Sequence, residues 1–340
     1  MYTRWQKQMG FTIVELLVVI VVIGVLATIT VISFSGIQER AIVASLQSDL
    51  NNAAKKLKID YVLNGAYPAT LAATDGGKGI NPSLETTYEY VVSNSTDLPG
   101  FCIEAVNKGI VYKITENNKP IPGDCDDYGL LLNLDGGDTG SYPGYGNDVF
   151  DLAGLNTNIT SYDASLGFTE NAFDFTATNT DGLNIQNNNF TNLKDFTFEI
   201  VFKVNGSHSH YDGALISSGD WNNRHWSFGI GQTNSAVKTR RPYSNTPYVF
   251  SLDTWYHIVF TRLGTKYITY INGTKIAEYT VTDAIPLDSG WSNTAVGRET
   301  YAGGYFNLNG KIALVKIYNR ALSDEKVTES FELLKPGYGI

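Results

Sequence analysis

One carboxylate stands apart near the N-terminus. Glu15 sits in a run, residues 11–32, that is otherwise almost wholly apolar, and it lies four residues beyond Phe11, which follows Gly10. A carboxylate near the end of an apolar span is costly unless it is paired or reaches the interface, so it points to function by default. As a helix the run is roughly 33 Å long, enough to cross a hydrocarbon core. Arg4 and Lys7 are the charges ahead of it, and they hold the N-terminus on the cytoplasmic side. A secretory signal would place a small-residue cleavage site after the run; here the small residue, Gly10, comes before it. The plainer alternative is a membrane anchor with a snorkelling Glu15.

Other residues suit binding better than catalysis. The aromatic and polar side chains of Trp221, Asn222, Arg240, Arg241, Tyr243, Trp291, Tyr301 and Tyr305 fall in expected loops. Rings stack on sugar C–H faces while Asn, Asp and Arg pair with hydroxyls, which suits a glycan or peptide groove; the alternative is that they cover sandwich edges. Asp135, Asp138, Asp148 and Asp151 crowd one loop and are candidate ligands for a structural calcium ion; no other cofactor is expected. Ser207-His208-Ser209-His210 puts two imidazoles close together, but two alone lack the further ligand of a zinc site, so a polar loop is the better reading. Glu199 stands alone in Phe198-Glu199-Ile200-Val201, whereas a retaining glycosidase needs two carboxylates about 5 Å apart on one strand face. No Ser-His-Asp pattern is evident, so no enzymatic activity is expected. The net charge of −9 disfavours nucleic acid as a partner.

Two cysteines, Cys102 and Cys125, complete the set. In an exported segment they read as one disulfide rather than two free thiols, worth roughly 3 kcal/mol by loop-closure entropy.

The elements that must position these groups fall into two halves. Behind the apolar run, Ile37, Ala41, Ile42, Leu46, Leu50, Ala53, Ala54, Leu57 and Tyr61 recur at three- and four-residue spacing, an amphipathic helix. Asn64-Gly65, with Pro68 beyond, is its stop signal, giving one helix over about 11–63. Short β-type runs follow at 88–92, 101–106 and 109–114. From residue 130 onward alternating strands and Gly/Asn turns dominate, among them 196–204, 214–217, 226–230, 255–262, 267–271, 275–282 and 310–318, with an Asn272-Gly273 hairpin. Helical periodicity is almost absent there, which implies one all-β sandwich.

The segment Gly10-Phe11-Thr12-Ile13-Val14-Glu15 with its hydrophobic run resembles the prepilin cleavage and methylation motif of type IV pilins and type II secretion pseudopilins. The resemblance implies a leader, 1–10, removed by a prepilin peptidase that methylates Phe11. It implies that Glu15 pairs with the freed amine of a neighbouring subunit during assembly. It also implies a membrane-held precursor, through residues 11–32, that becomes an extracellular fibre of pilin subunits. Residues 11–128 would be the pilin helix with a small disulfide-bonded β head; many family members have a proline midway along that helix, and this chain has none. The order of Ser141-Tyr-Pro-Gly, Phe196-Thr-Phe-Glu-Ile, Thr254-Trp-Tyr-His-Ile-Val-Phe and Asn309-Gly-Lys-Ile resembles the laminin-G-like, concanavalin A-like jelly rolls, implying such a sandwich over 129–340. Trp255 and Tyr318 are expected to be core. The fold expected is therefore α+β followed by all-β, and the function a minor or adhesive pilus subunit displaying a lectin-like domain. A structural pilin with a decorative sandwich and a pseudopilin of a secretion or DNA-uptake machine are the alternatives.

Overall fold

The computed structural model describes residues 13–94, 99–155, 159–161, 167–176, 182–186, 190, 193–208, 212–218, 226–240, 243–282, 293–300 and 307–340, without the side chains of 27–36. The chain divides into two compact units: Met1–Tyr90 with Cys102–Cys125, and Val91–Phe101 with Asp126–Ile340.

The first unit is built on helix α1 (Ile13–Asn64). Its apolar start offers no preferred face, and Ile13, Val14 and the bulky residues from Leu16 to Leu26 are all at least 50 % exposed. Among the described residues no helix is long and apolar enough to cross a membrane; the expected span, 11–32, extends at both ends into residues or side chains outside the description. Farther along, Leu46, Leu50, Ala53, Ala54 and Leu57 bury one stripe of the helix. That stripe packs α1 against the small head sheet, through β3. Ile37 and Ala41, which continue the stripe in sequence, stay exposed. Gly65 ends the helix in the left-handed conformation and donates to the Tyr61 carbonyl at 2.8 Å, a cap that costs glycine little.

The head sheet runs in the order β1 (Thr87–Ser93), β2 (Gly100–Asn107), β3 (Ile110–Thr115), β4 (Ile121–Pro122). Before it, a 3-10 turn, Leu71–Ala73, leads into the kinked turn α2 (Thr74–Gly77). Buried Asp60 of α1 accepts the Asp75 N–H at 2.9 Å and so ties that turn to the stem. Cys102 of β2 is bonded to Cys125 with their Cα atoms 5.9 Å apart, the separation a disulfide favours.

The second unit is the sandwich. Its strands are β5 (Leu130–Asp135), β6 (Ile159–Ser161), β7 (Gly167–Thr169), β8 (Ala172–Asp174), β9 (Leu183–Gln186) and β10 (Phe196–Val204), then β11 (Gly213–Ser218), β12 (Trp226–Ile230), β13 (Ala236–Arg240) and β14 (Tyr243–Pro247). They continue with β15 (Trp255–Leu263), β16 (Lys266–Ile271), β17 (Thr274–Thr280), β18 (Asn293–Val296) and β19 (Gly310–Tyr318), and the chain closes with helix α3 (Asp324–Tyr338). One antiparallel sheet has the order β17-β16-β15-β10-β19-β8-β7, with β5 also on β19; the other runs β14-β13-β12-β11-β18-β9-β6. The core lies between them. Phe196, Phe198, Ile200 and Phe202 of β10 face Trp226, Phe228 and Ile230 of β12, with Phe198 stacked on Trp226 at 4.7 Å and Phe228 on Phe260 at 4.9 Å. Each such ring contributes about 2 kcal/mol by burial. At the β16–β17 turn Asn272 and Gly273 both take positive φ, as a two-residue hairpin of the expected kind requires.

All nine residues of β10 are buried, although alternation leaves Thr197, Glu199, Val201 and Lys203 on the side away from the core. The cover over this polar face includes α3, a helix the sequence reading did not anticipate. Ser323 caps it by accepting the Lys326 N–H, and Val327, Phe331, Leu334 and Tyr338 recur at helical spacing on its inner side. Under it His257 donates or accepts at 2.9 Å from the Glu199 carboxylate, the Ser330 hydroxyl donates to the same oxygen, and Phe331 stacks on the His257 ring. Burial alone would raise the pKa of Glu199; the hydrogen bond and charge of His257, then Lys316 and Ser330, outweigh it and hold the carboxyl below its usual range. Tyr318 is buried in this layer, while Trp255 is half-buried against Tyr338.

His208 is the other buried imidazole with a defined role. It is 3 % exposed, accepts the Asn309 N–H on Nδ1 at 3.1 Å, and lies where a Cβ at Gly213 would strike its ring at 2.4 Å. His210 lies outside the described residues. Burial lowers the pKa of His208 from 6.5 to about 4, against the opposing charge of Asp212. The unfolded chain therefore takes up this proton more readily than the folded one. The stabilisation is complete above pH 6.5 and falls away as the pH drops toward 4, a loss of about 3 kcal/mol. Chemical denaturation of wild type and His208→Gln across that window checks this: the variant should lose most of the decline, and parallel curves would contradict the assignment.

Candidate functional site

The outer face of the seven-stranded sheet carries the larger cavity, 340 Å³ in volume. It arises from strand alternation. Trp226, Phe228 and Ile230 point into the core, so Ser227 and Gly229 of β12 face outward. On β13 the inward Val237 leaves Lys238 and Arg240 on the outer face, and Tyr243 of β14 joins them as the register partner of Arg240. Ala214, Gly229 and Lys238 form one cross-strand row. A Cβ on Gly229 would meet the Gly213 carbonyl oxygen at 2.3 Å, so the close approach at the β11 register shift demands glycine there. The floor is thus made of small residues.

Two ion pairs stand over that floor. Lys238 Nζ is 3.4 Å from Asp212, both about 30 % exposed. Arg240 Nε is 3.5 Å from Glu299, whose side chain is 3 % exposed. The first is a weak surface pair; the second matters more, because a carboxylate so deeply buried is costly to leave without its cation. The Tyr243 ring, 76 % exposed, stands at the rim. With a small floor, charged walls and an exposed aromatic ring, the cavity offers a stacking face for apolar C–H groups and paired charges for hydroxyls.

Of the residues singled out from the sequence, Arg240 and Tyr243 meet in this cavity. Trp221, Asn222, Arg241, Trp291, Tyr301 and Tyr305 lie outside the described residues, as do Gly10 and Phe11; Glu15 opens α1 in its first turn. Arg240 and Tyr243 were expected in loops but lie on β13 and β14, and Lys238, two residues before Arg240, shares its face. Asp212 and Glu299 come from distant points in the chain, and only tertiary structure brings them here.

Among the described residues the four aspartates named as possible calcium ligands do not gather as a group of three or more. Asp135 accepts the Gly137 N–H, Asp138 the Gly140 N–H, and Asp151 those of Asn133, Ala153 and Leu155. Asp148 enters by its backbone, bridging to Thr160. The carboxylates of Asp135, Asp138 and Asp151 thus bond backbone N–H groups and shape this loop.

A second cavity, of 90 Å³, lies against α3 and reaches Glu199, Tyr318 and Ser330. The carboxylate there is already bonded by His257 and Ser330, with the Tyr318 hydroxyl at 3.5 Å.

Known proteins resemble the chain in two separate stretches. Residues 5–31 match the prokaryotic N-terminal methylation motif, and residues 177–328 the concanavalin A-like lectin/glucanases superfamily. Type II secretion system core protein G of Klebsiella pneumoniae is 40 % identical over 65 residues, 19 % of this chain and 46 % of its own length. The protein of that name from Escherichia coli K12 is 45 % identical over 67 residues, 19 % of this chain and 44 % of its own. The chain thus spans under half the length of these relatives. Domain 4 of an extracellular arabinanase from Geobacillus stearothermophilus, solved with arabinotriose, aligns with 59 % of this chain and 97 % of its own at 13 % identity and a TM-score of 0.46. The chain is thus similar at its front to the prokaryotic N-terminal methylation motif and to type II secretion core protein G, and over residues 177–328 to the concanavalin A-like lectin/glucanases superfamily.

Proposed function

We propose that this chain is a pilin-like subunit that carries a glycan-binding sandwich on a surface fibre. The observation that carries the reading is the methylation motif over residues 5–31, which runs into the start of a 52-residue helix whose first turn holds Glu15. In this reading residues 11–32 hold the precursor in the membrane and a prepilin peptidase cuts after Gly10 and methylates Phe11. The helix then moves into a fibre where Glu15 pairs with a neighbour's new amine. An apolar helix start exposed on every side supports this, because such a surface persists only among lipid tails or other helices. The bulk of the sandwich favours a minor subunit, at the tip or sparse along the shaft.

The head binds rather than hydrolyses. In the larger cavity both carboxylates, Asp212 and Glu299, stand against cations. Glu199 is held by a histidine and a serine. A second reading is a pseudopilin of a secretion machine; the 40–45 % identity of the N-terminal stretch to core protein G favours it.

Two experiments separate these readings. Glu15→Ala should leave processed subunit in the membrane fraction and remove it from sheared surface fibres; wild-type levels in the fibres would overturn the assembly role. Tyr243→Ala should leave the number of subunits on the surface unchanged while weakening attachment to glycan-coated surfaces several-fold, on the order of ten. Unchanged attachment removes the cavity from the function. A chain never found outside the cell, yet needed for secretion of another protein, supports the pseudopilin reading.

A further inference from the structure

We propose that the cavity on the seven-stranded sheet selects an uncharged saccharide and discriminates against sugars bearing a carboxylate, sulfate or ammonium group. This rests on the glycan reading of the cavity given above. Among the described residues that line the cavity, each cation stands beside an acid: Lys238 beside Asp212 at 3.4 Å and Arg240 beside Glu299 at 3.5 Å. The charges of these four described side chains sum to zero. An anionic sugar brought to Arg240 or Lys238 would compete with a resident carboxylate and lie beside it, a like-charge contact in a partly buried site. A cationic sugar meets the same conflict with the signs reversed.

A neutral sugar meets none. Its hydroxyls both donate and accept, so one hydroxyl accepts from a guanidinium or ammonium N–H while donating to the carboxylate beside it, and neither pair has to part. The ring of Tyr243, 76 % exposed at the rim, offers the apolar face for the sugar's C–H side. Glu299 fixes the arrangement. At 3 % exposure it has no room to swing away, so the acid partner of Arg240 stays in the cavity when ligand arrives. At 340 Å³ the space is at the small end for ligand pockets, which suits one or two sugar units of a longer chain. Discrimination then comes from a built-in repulsion as well as from attraction.

The test uses the full chain and a set of neutral oligosaccharides matched to uronate, sulfated and amino-sugar counterparts, screened on an array and then titrated calorimetrically. The neutral member of at least one set should bind, with its charged counterparts weaker by about tenfold or more. Glu299→Gln should then raise the affinity for the uronate relative to the neutral sugar by about tenfold. Asp212→Asn should move the ratio the same way, by less because that pair is more exposed. Asp212→Asn also serves as the control should Glu299→Gln fail to fold. A uronate that binds wild type as tightly as its neutral partner, or a ratio unmoved in both variants, overturns the proposal while leaving the glycan reading standing. Binding of no saccharide at all overturns both.

Discussion

The sandwich depends on how β10 is covered. This strand lies between β15 and β19 in its sheet and buries all nine of its residues, five of them against the opposing sheet. The rest include a glutamate and a lysine, which are costly to bury unless hydrogen-bonded and paired. Glu199 meets His257 and Ser330; Lys203, with Lys311, meets Glu170. Ser330 belongs to α3, so the hydrogen bond that satisfies the buried carboxylate also seats the helix. Tyr270 donates to Asp324 at 2.6 Å and Lys326 to Asp126 at 2.7 Å, and these hold the start of the helix in place. The two sheets end up unlike: α3 packs over the eight-stranded sheet, whereas the seven-stranded sheet keeps an open cavity on its outer face. That difference decides which face is free to meet a ligand.

On the open face, position and charge come from separate causes. Strand alternation and the glycine at 229 set the shape of the floor, and no ligand is needed to explain either. The ion pairs are another matter. A pairing such as Arg240 with the buried Glu299 is expensive to assemble, and a hydrophobic pair of similar size is often no less stable. Its presence on an outer face beside an exposed tyrosine fits a surface built for polar recognition better than one built for stability.

Much of this was readable from the residues, and the limits have physical reasons. The Cys102–Cys125 bond follows from a lone pair of cysteines in an exported segment, and the stem helix, its stop at Gly65 and strands such as β10, β12 and β19 follow from local periodicity and turn chemistry. So does the Asn272-Gly273 hairpin, because its signal is confined to two residues. Helix α3 went unread although Ser323, the acidic pair Asp324-Glu325 and the Val327, Phe331, Leu334 spacing announce it; a long run of β pattern hid one short helix. Edge strands such as β14 carry exposed, polar residues and give little alternation to detect. The aspartates at 135, 138, 148 and 151 resembled a calcium set in composition. The carboxylates of Asp135, Asp138 and Asp151 serve backbone N–H groups nearby, a use that composition does not distinguish from metal binding. In the cavity, Arg240 and Tyr243 were found because they are neighbours in sequence, whereas Asp212 and Glu299 were not, because the fold alone brings them together.

The front of the chain poses the opposite problem. There the sequence says most, in Gly10, Phe11 and Glu15, and the physics of an apolar helix start exposed on all sides demands a surrounding other than water. The account joins this processed, assembling front to the binding sandwich in one polypeptide on the cell surface. Peptide mass spectrometry of sheared and purified surface fibres tests that most directly. The account predicts an N-terminal peptide beginning at Phe11 and heavier by one methyl group, recovered together with peptides of the sandwich from the same fibres. Fibres lacking the sandwich peptides, or a chain recovered only with Met1 still in place, would contradict it.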